Sequence, residues 1–93
     1  MGTYLLIDVK MEGFSVITLN VNGLGQDDKR KKMFNFIHTQ NAQFSLLQET
    51  HSTPENQNAW KQEWKSMGGG EAFFSHGTSS TGGTAILCGI NVL

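Results

Sequence analysis

Ninety-three residues are enough for one small domain with one modest core. Hydrophobic residues at 38% and charged residues at 16% exclude a disordered polyelectrolyte, and no apolar run reaches the length of a membrane-spanning helix. A formal charge of −1 lacks the basic surplus expected of a free-standing nucleic-acid binder, whose non-specific affinity comes largely from phosphate neutralisation.

Residues 1–12 alternate poorly and read as a leader, with a short strand over Tyr4–Ile7. The leader has no basic flank and no cleavage-site pattern, and Leu6 stands where a myristoylation signal needs Ser or Thr. Together with the single Cys88, which allows no intrachain disulfide, this predicts an intracellular, non-secreted chain without a membrane anchor. Cys88 lies in an apolar run and is expected to be a small core residue.

Phe14–Leu19 is a β-branched, apolar run and predicts a strand that stops at Asn20-Val21-Asn22-Gly23-Leu24-Gly25, a loop. Asp27–His38 predicts a helix. Its acidic first turn suits the macrodipole, and Met33, Phe36 and Ile37 form an apolar stripe. His38 in the last turn reads as a capping or solvent residue. The run Lys29-Arg30-Lys31-Lys32 is read as a solvated face, with Asp27 opposite Lys31 and Asp28 opposite Lys32; phosphate contact is the alternative.

Phe44–Leu47 predicts a strand buried on both faces, ending at Gln48-Glu49-Thr50-His51. Thr53–Met67 predicts a second helix, with Thr53 as N-cap, Pro54 at the first helical position, and Trp60, Trp64 and Met67 as core. Gly68-Gly69-Gly70 reads as its stop. Glu71–Ser75 and Thr84–Cys88 predict an antiparallel hairpin around a flexible, glycine-rich loop over His76–Gly83.

Two strands joined by a helix are expected to pair in parallel, which brings their carboxyl ends to one edge. Asn20 and Glu49 then converge on the edge where α/β sheets usually bind ligands. A carboxylate there can hold Mg²⁺, a hard ion that takes oxygen ligands, and an amide beside it can donate to a phosphate oxygen. The same two residue types are also common as caps and turn residues at strand ends, and on pattern alone both readings stand. His38, His51 and His76 form no zinc signature, and no Walker loop, nucleophile elbow or dinucleotide fingerprint is present.

The strings Ile17-Thr18-Leu19-Asn20-Val21-Asn22-Gly23-Leu24, Leu46-Leu47-Gln48-Glu49-Thr50-His51 and Gly82-Gly83-Thr84-Ala85-Ile86-Leu87 resemble, in order and approximate spacing, three motifs of LINE-type (non-LTR) retrotransposon endonucleases. These belong to the endonuclease/exonuclease/phosphatase superfamily. The resemblance covers residues 14–93 and implies an α/β fold. Residues 13–93 would be the N-terminal portion of a four-layer α/β sandwich, two packed sheets flanked by helices. It implies Mg²⁺- (or Mn²⁺-) dependent cleavage of a DNA strand, the nick that primes retrotransposition. It also implies roles for single residues: Asn20 and Asn22 as catalytic-site residues, Glu49 as metal ligand and His51 as a substrate contact. His51 is read equally as a loop residue.

The family's later motifs have no counterpart here, so the chain is expected to be a truncated, inactive fragment. Its open sheet surface is expected to favour self-association. A DNA substrate would point to the nucleus, although no nuclear signal is evident. The alternatives are a non-catalytic remnant acting as an interaction module, or a phosphatase of the same superfamily. The Asn-Val-Asn-Gly-Leu and Gln-Glu-Thr-His wording favours the nuclease branch.

Overall fold

The computed structural model describes residues 6–11 and 13–92. In chain order the elements are β1 (Leu6–Met11), β2 (Phe14–Asn20), α1 (Asp27–Thr39), β3 (Phe44–Gln48), α2 (Gln57–Ser66), β4 (Ala72–Ser75) and β5 (Thr84–Cys88). The strands form one sheet in the order β1-β2-β3-β5-β4. β2 and β3 are parallel, with Asn20 opposite Gln48; every other pairing is antiparallel. The parallel pairing across α1 and the β4–β5 hairpin are both as the sequence predicts.

Both helices cover one face of the sheet. Alternation along the strands turns Ile17 and Leu19 of β2, Leu47 of β3, Ala72 of β4, and Ala85 and Leu87 of β5 to that face. They meet Met33, Phe34 and Ile37 of α1 and Trp60 and Trp64 of α2 in a single core. A fully buried side chain of this size contributes about 1.5–3 kcal/mol, so this layer contact is the main cohesive force. The Phe34 ring meets Trp64 edge-on at 5.9 Å. Trp64 Nε1–H donates to the Cys88 carbonyl at 2.9 Å, which ties α2 to the end of β5. Cys88 is buried as expected, and burial pushes its thiol pKa up.

Three expectations need correction. β3 is not buried on both faces: Ser45 and Leu47 are buried, whereas Phe44 and Leu46 are only half-buried. The reason is that the second face carries no layer among the described residues. Ile7, Val9, Phe14, Phe73 and Ile86 are all exposed there. By register, Ile7, Thr18, Leu46, Ile86 and Phe73 form one row across the sheet. The described fold is thus one sheet with helices on one side, and the second sheet of a sandwich is not part of it.

The second correction concerns α2, which begins at Gln57 and not at Thr53. Residues 54–56 form a turn instead, in which Asn56 Oδ1 accepts the Thr53 N–H at 2.9 Å. The side chain that satisfies a backbone donor here is thus Asn56, reaching backwards, and not Thr53 reaching forwards. Third, residues 6–11 are a strand paired with β2 along its whole length. Of the strand expected over Tyr4–Ile7, Tyr4 and Leu5 lie outside the described residues.

Candidate functional site

The site grows from the carboxyl ends of the two parallel strands. Beyond Asn20 and Gln48 the backbones stay locked together. Val21 N–H donates to Gln48 O (3.0 Å), Gly23 N–H to Glu49 O (2.6 Å) and Leu24 N–H to Thr50 O (2.9 Å). From the other side, Thr50 N–H donates to Gly83 O (3.0 Å) and His51 N–H to Gly82 O (2.9 Å). The segment 49–51 is therefore clamped between the loop after β2 and the glycines before β5. This is the carboxyl edge of the parallel strand pair, where α/β sheets usually bind ligands, and Asn20 and Glu49 lie on it as the topology predicts.

The backbone conformation here is unusual. Asn22 (φ +52°), Glu49 (φ +56°) and His51 (φ +58°) all occupy the left-handed region. For a residue with a side chain this costs about 1–2 kcal/mol. Asn tolerates the conformation, and the other non-glycine examples, Asn41 and Asn91, are asparagines too. Glu49 and His51 have no such excuse. Strain of this kind persists only where the surroundings over-determine it, and it clusters at functional sites.

Each expected site residue has a defined setting. Asn20 Oδ1 accepts the Asn22 N–H at 3.0 Å, closing a local turn that holds Asn22 in place. Lys29 Nζ donates to the Asn22 carbonyl at 2.7 Å. The His51 ring lies against Gly23 so closely that a Cβ built there would sit 2.6 Å from His51 Nδ1. Gly23 is thus required twice, by its φ of +85° and by the imidazole. Gly83 is required in the same way by Thr50, whose Oγ1 would lie 2.6 Å from an added Cβ.

Asp27, Asp28, Glu63 and Glu71 each pair with a cation. Glu49 and the exposed Glu55 have no cation partner among the described residues, and of the two only Glu49 is half-buried. The Glu49 carboxylate has no hydrogen-bond partner among those residues either. An unpaired carboxylate is the donor chemistry that Mg²⁺ accepts, since that ion binds through one or two carboxylates and keeps several waters. Among the described residues no group of three or more His, Cys, Asp or Glu could enclose a metal. Glu49 is thus the carboxylate available at this edge, without a closed cage of such ligands around it.

Two features were missed by sequence reasoning. Arg30, read as part of a solvated basic face, is only 5% exposed. Its guanidinium grips Glu63 with two hydrogen bonds, Nε to Oε2 at 2.7 Å and Nη2 to Oε1 at 2.6 Å. It also reaches Asp27 Oδ1 (2.8 Å) and the Leu24 carbonyl (3.1 Å), and lies 5.1 Å over the Trp60 ring. The bond to Glu63 raises the Arg30 pKa further above its ordinary value, against the effect of burial. Asp27, expected to face Lys31, pairs with Arg30 instead, and that bond lowers its pKa. Asp28 and Lys32 do meet, at 3.9 Å. Arg30 thus anchors the loop after β2 to α2.

The second missed feature is His76, read as part of a flexible loop. Its Nδ1 lies 3.0 Å from Ser52 Oγ and its Nε2 lies 2.7 Å from Gln57 Oε1. The ring stacks on Phe74 at 6.3 Å. Nothing in the local sequence signals this, because the partners come from two other segments.

No family model matches the chain. Among curated proteins it is similar to a Transposon TX1 uncharacterized 149 kDa protein of Xenopus laevis, with 37% identity over 73 residues. The matched stretch takes in 78% of this chain and 5% of that protein. The chain thus spans a small part of its transposon relative. Among the described residues no helix is long and apolar enough to cross a membrane.

Proposed function

We propose that this chain is part of a transposon-derived, Mg²⁺-dependent DNA endonuclease domain of the endonuclease/exonuclease/phosphatase type, and that it supplies one half of the active site. One observation carries the reading: Glu49, an unpartnered carboxylate on a left-handed backbone, follows Gln48, the register partner of Asn20, at the carboxyl edge of a parallel strand pair. The similarity to a transposon protein supports it, as do the three sequence motifs.

In this reading Glu49 holds the cation and Asn20 orients a phosphate oxygen through its amide. A bound Mg²⁺ would offset charge on the phosphodiester under attack. Asn22 fixes the turn that presents Asn20, and His51 borders the same edge as a substrate contact. No described residue is placed to act as the base that activates water. Since the members of such a site act together, the chain alone is expected to be inactive or nearly so.

The test is a Mn²⁺ or Mg²⁺ titration of the chain followed by two-dimensional NMR, with Glu49→Gln as control. Saturable shifts or broadening centred on Asn20 and Glu49, lost in the variant, support the reading. Their absence in a folded chain would count against it. A second reading, a non-catalytic interaction module, draws on the open apolar face bearing Ile7, Val9, Phe14, Phe73 and Ile86.

A further inference from the structure

We propose that His76 is a positioning residue, whose imidazole braces the Glu49–Ser52 segment with Glu49 and His51 in their left-handed conformation. The role rests on Glu49 being the metal carboxylate, but the brace can be measured without any metal.

With a neutral ring, the hydrogen bonds around His76 fit a single proton order. Gln57 Oε1 accepts, so Nε2 carries the proton. Nδ1 then accepts from the Ser52 hydroxyl, and Ser52 Oγ accepts from the Thr50 hydroxyl at 3.2 Å. Thr50 Oγ1 in turn accepts the Ser52 backbone N–H at 3.2 Å. Thr50 and Ser52 are both fully buried, so these hydroxyls have no recourse to water. Leaving a buried polar group unpaired costs about 1–3 kcal/mol, comparable to the strain at one left-handed residue.

Two of the three peptides at risk are already held by the Gly82 and Gly83 carbonyls. What those backbone bonds leave free is the side-chain layer beneath, and His76 closes it. The imidazole links three separate pieces, the end of β4, the start of α2 and the Glu49–Ser52 segment. It is fixed by stacking on Phe74, itself packed edge-on against Trp60 of the core at 6.1 Å. The metal carboxylate is thereby referenced to the core through His76, and not only through its own strand.

The experiment uses the whole chain in four forms: wild type, His76→Phe, His76→Asn and Ser52→Ala. His76→Phe keeps a ring on Phe74 but offers no nitrogen; His76→Asn restores an acceptor near the position of Nδ1. In the wild type, imidazole ¹⁵N shifts should report the Nε2–H tautomer, and strong intraresidue amide–Hα NOEs should mark positive φ at Glu49 and His51. In His76→Phe those NOEs should weaken, exchange of the Thr50 and His51 amides should speed up by about tenfold, and Mn²⁺ affinity should fall by a similar factor, as expected for one lost buried hydrogen bond. His76→Asn should recover part of each change.

Ser52→Ala deletes only the hydroxyl between His76 and Thr50, and should loosen the same amides even if His76→Phe fails to fold. Unchanged exchange and NOEs in the folded variants, or an Nδ1–H tautomer in the wild type, would overturn the proposal. A loosened loop in variants of a wild type that binds no Mn²⁺ would uphold the brace and sink the metal-site reading.

Discussion

Arg30 and Glu63 form a two-pronged ion pair between the two helices, with both hydrogen bonds under 2.8 Å and the guanidinium almost completely enclosed. The same guanidinium holds the Leu24 carbonyl, so this pair also pins the loop that follows Asn20. Removing Glu63 leaves the buried guanidinium with the exposed Asp27 as its one ion-pair partner among the described residues. Glu63→Ala should therefore destabilise the chain by about 3 kcal/mol, the lower end of the usual range because Glu63 keeps some solvent contact. Urea denaturation checks this, and a loss below about 1 kcal/mol would show the pair to behave like a surface contact.

Arg30 also predicts an acid effect of definite sign. Its bond to Asp27 lowers the Asp27 pKa on folding. The resulting stabilisation is complete above the ordinary carboxylate range and is lost as pH falls through the lowered folded value. Wild type should melt above Asp27→Asn at neutral pH, and the two should converge in acid below the lowered folded value, where the carboxyl is protonated in both folded and unfolded chains. Because Asp27 is exposed, the gap at neutral pH should be small. Parallel melting curves across the whole range would contradict the assignment.

These two residues also show where reading the sequence stops. The strands and α1 were legible because side-chain period and loop residues are local properties, and so was the placement of Asn20 and Glu49 on one edge, which follows from parallel pairing alone. Arg30 was not legible. Within Lys29–Lys32 nothing separates it from its neighbours, and its partners Trp60 and Glu63 sit 30 and 33 residues on, on another helix. The start of α2 was misjudged because Thr53-Pro54 satisfies the local rule for a helix start, while Asn56 wins by taking the Thr53 N–H itself. His76 was hidden for the same reason as Arg30.

Glu49 should show a conflict between stability and function. Asparagine tolerates left-handed backbone far better than glutamate does. Glu49→Asn should leave stability unchanged or raise it by up to about 1 kcal/mol, while abolishing the response to Mn²⁺. Calorimetry and metal titration on the same preparation test this. A clear loss of stability would mean that the Glu49 side chain contributes packing not accounted for by its strain.

Gly23→Ala should act oppositely, harming both properties. The added Cβ meets the His51 ring at 2.6 Å and stands at a φ of +85°. A destabilisation of about 2 kcal/mol is expected, with displaced His51 ring resonances. An unperturbed His51 would show that the ring does not rest on the glycine in solution.

The uncovered sheet face should make the chain adhesive. Ile86 sits mid-row between Leu46 and Phe73, so Ile86→Lys breaks the patch at its centre with a charge. Wild type should bind ANS and associate with rising concentration, and Ile86→Lys should do both less. Equal sedimentation of the two proteins as monomers would show that this face does not drive association.

The chain has two tryptophans, and both are buried on α2. One lies beneath the Arg30 guanidinium and the other donates to the Cys88 carbonyl. Its tryptophan emission therefore comes wholly from the helix that carries Gln57 and Glu63, the buttress of the candidate site. Undocking of that helix would appear as a red shift even with the sheet intact, while changes confined to β1 would pass optically unseen. Fluorescence and amide circular dichroism thus observe different parts of this fold, and the order in which they change on heating would reveal whether helix and sheet part company in one step or two.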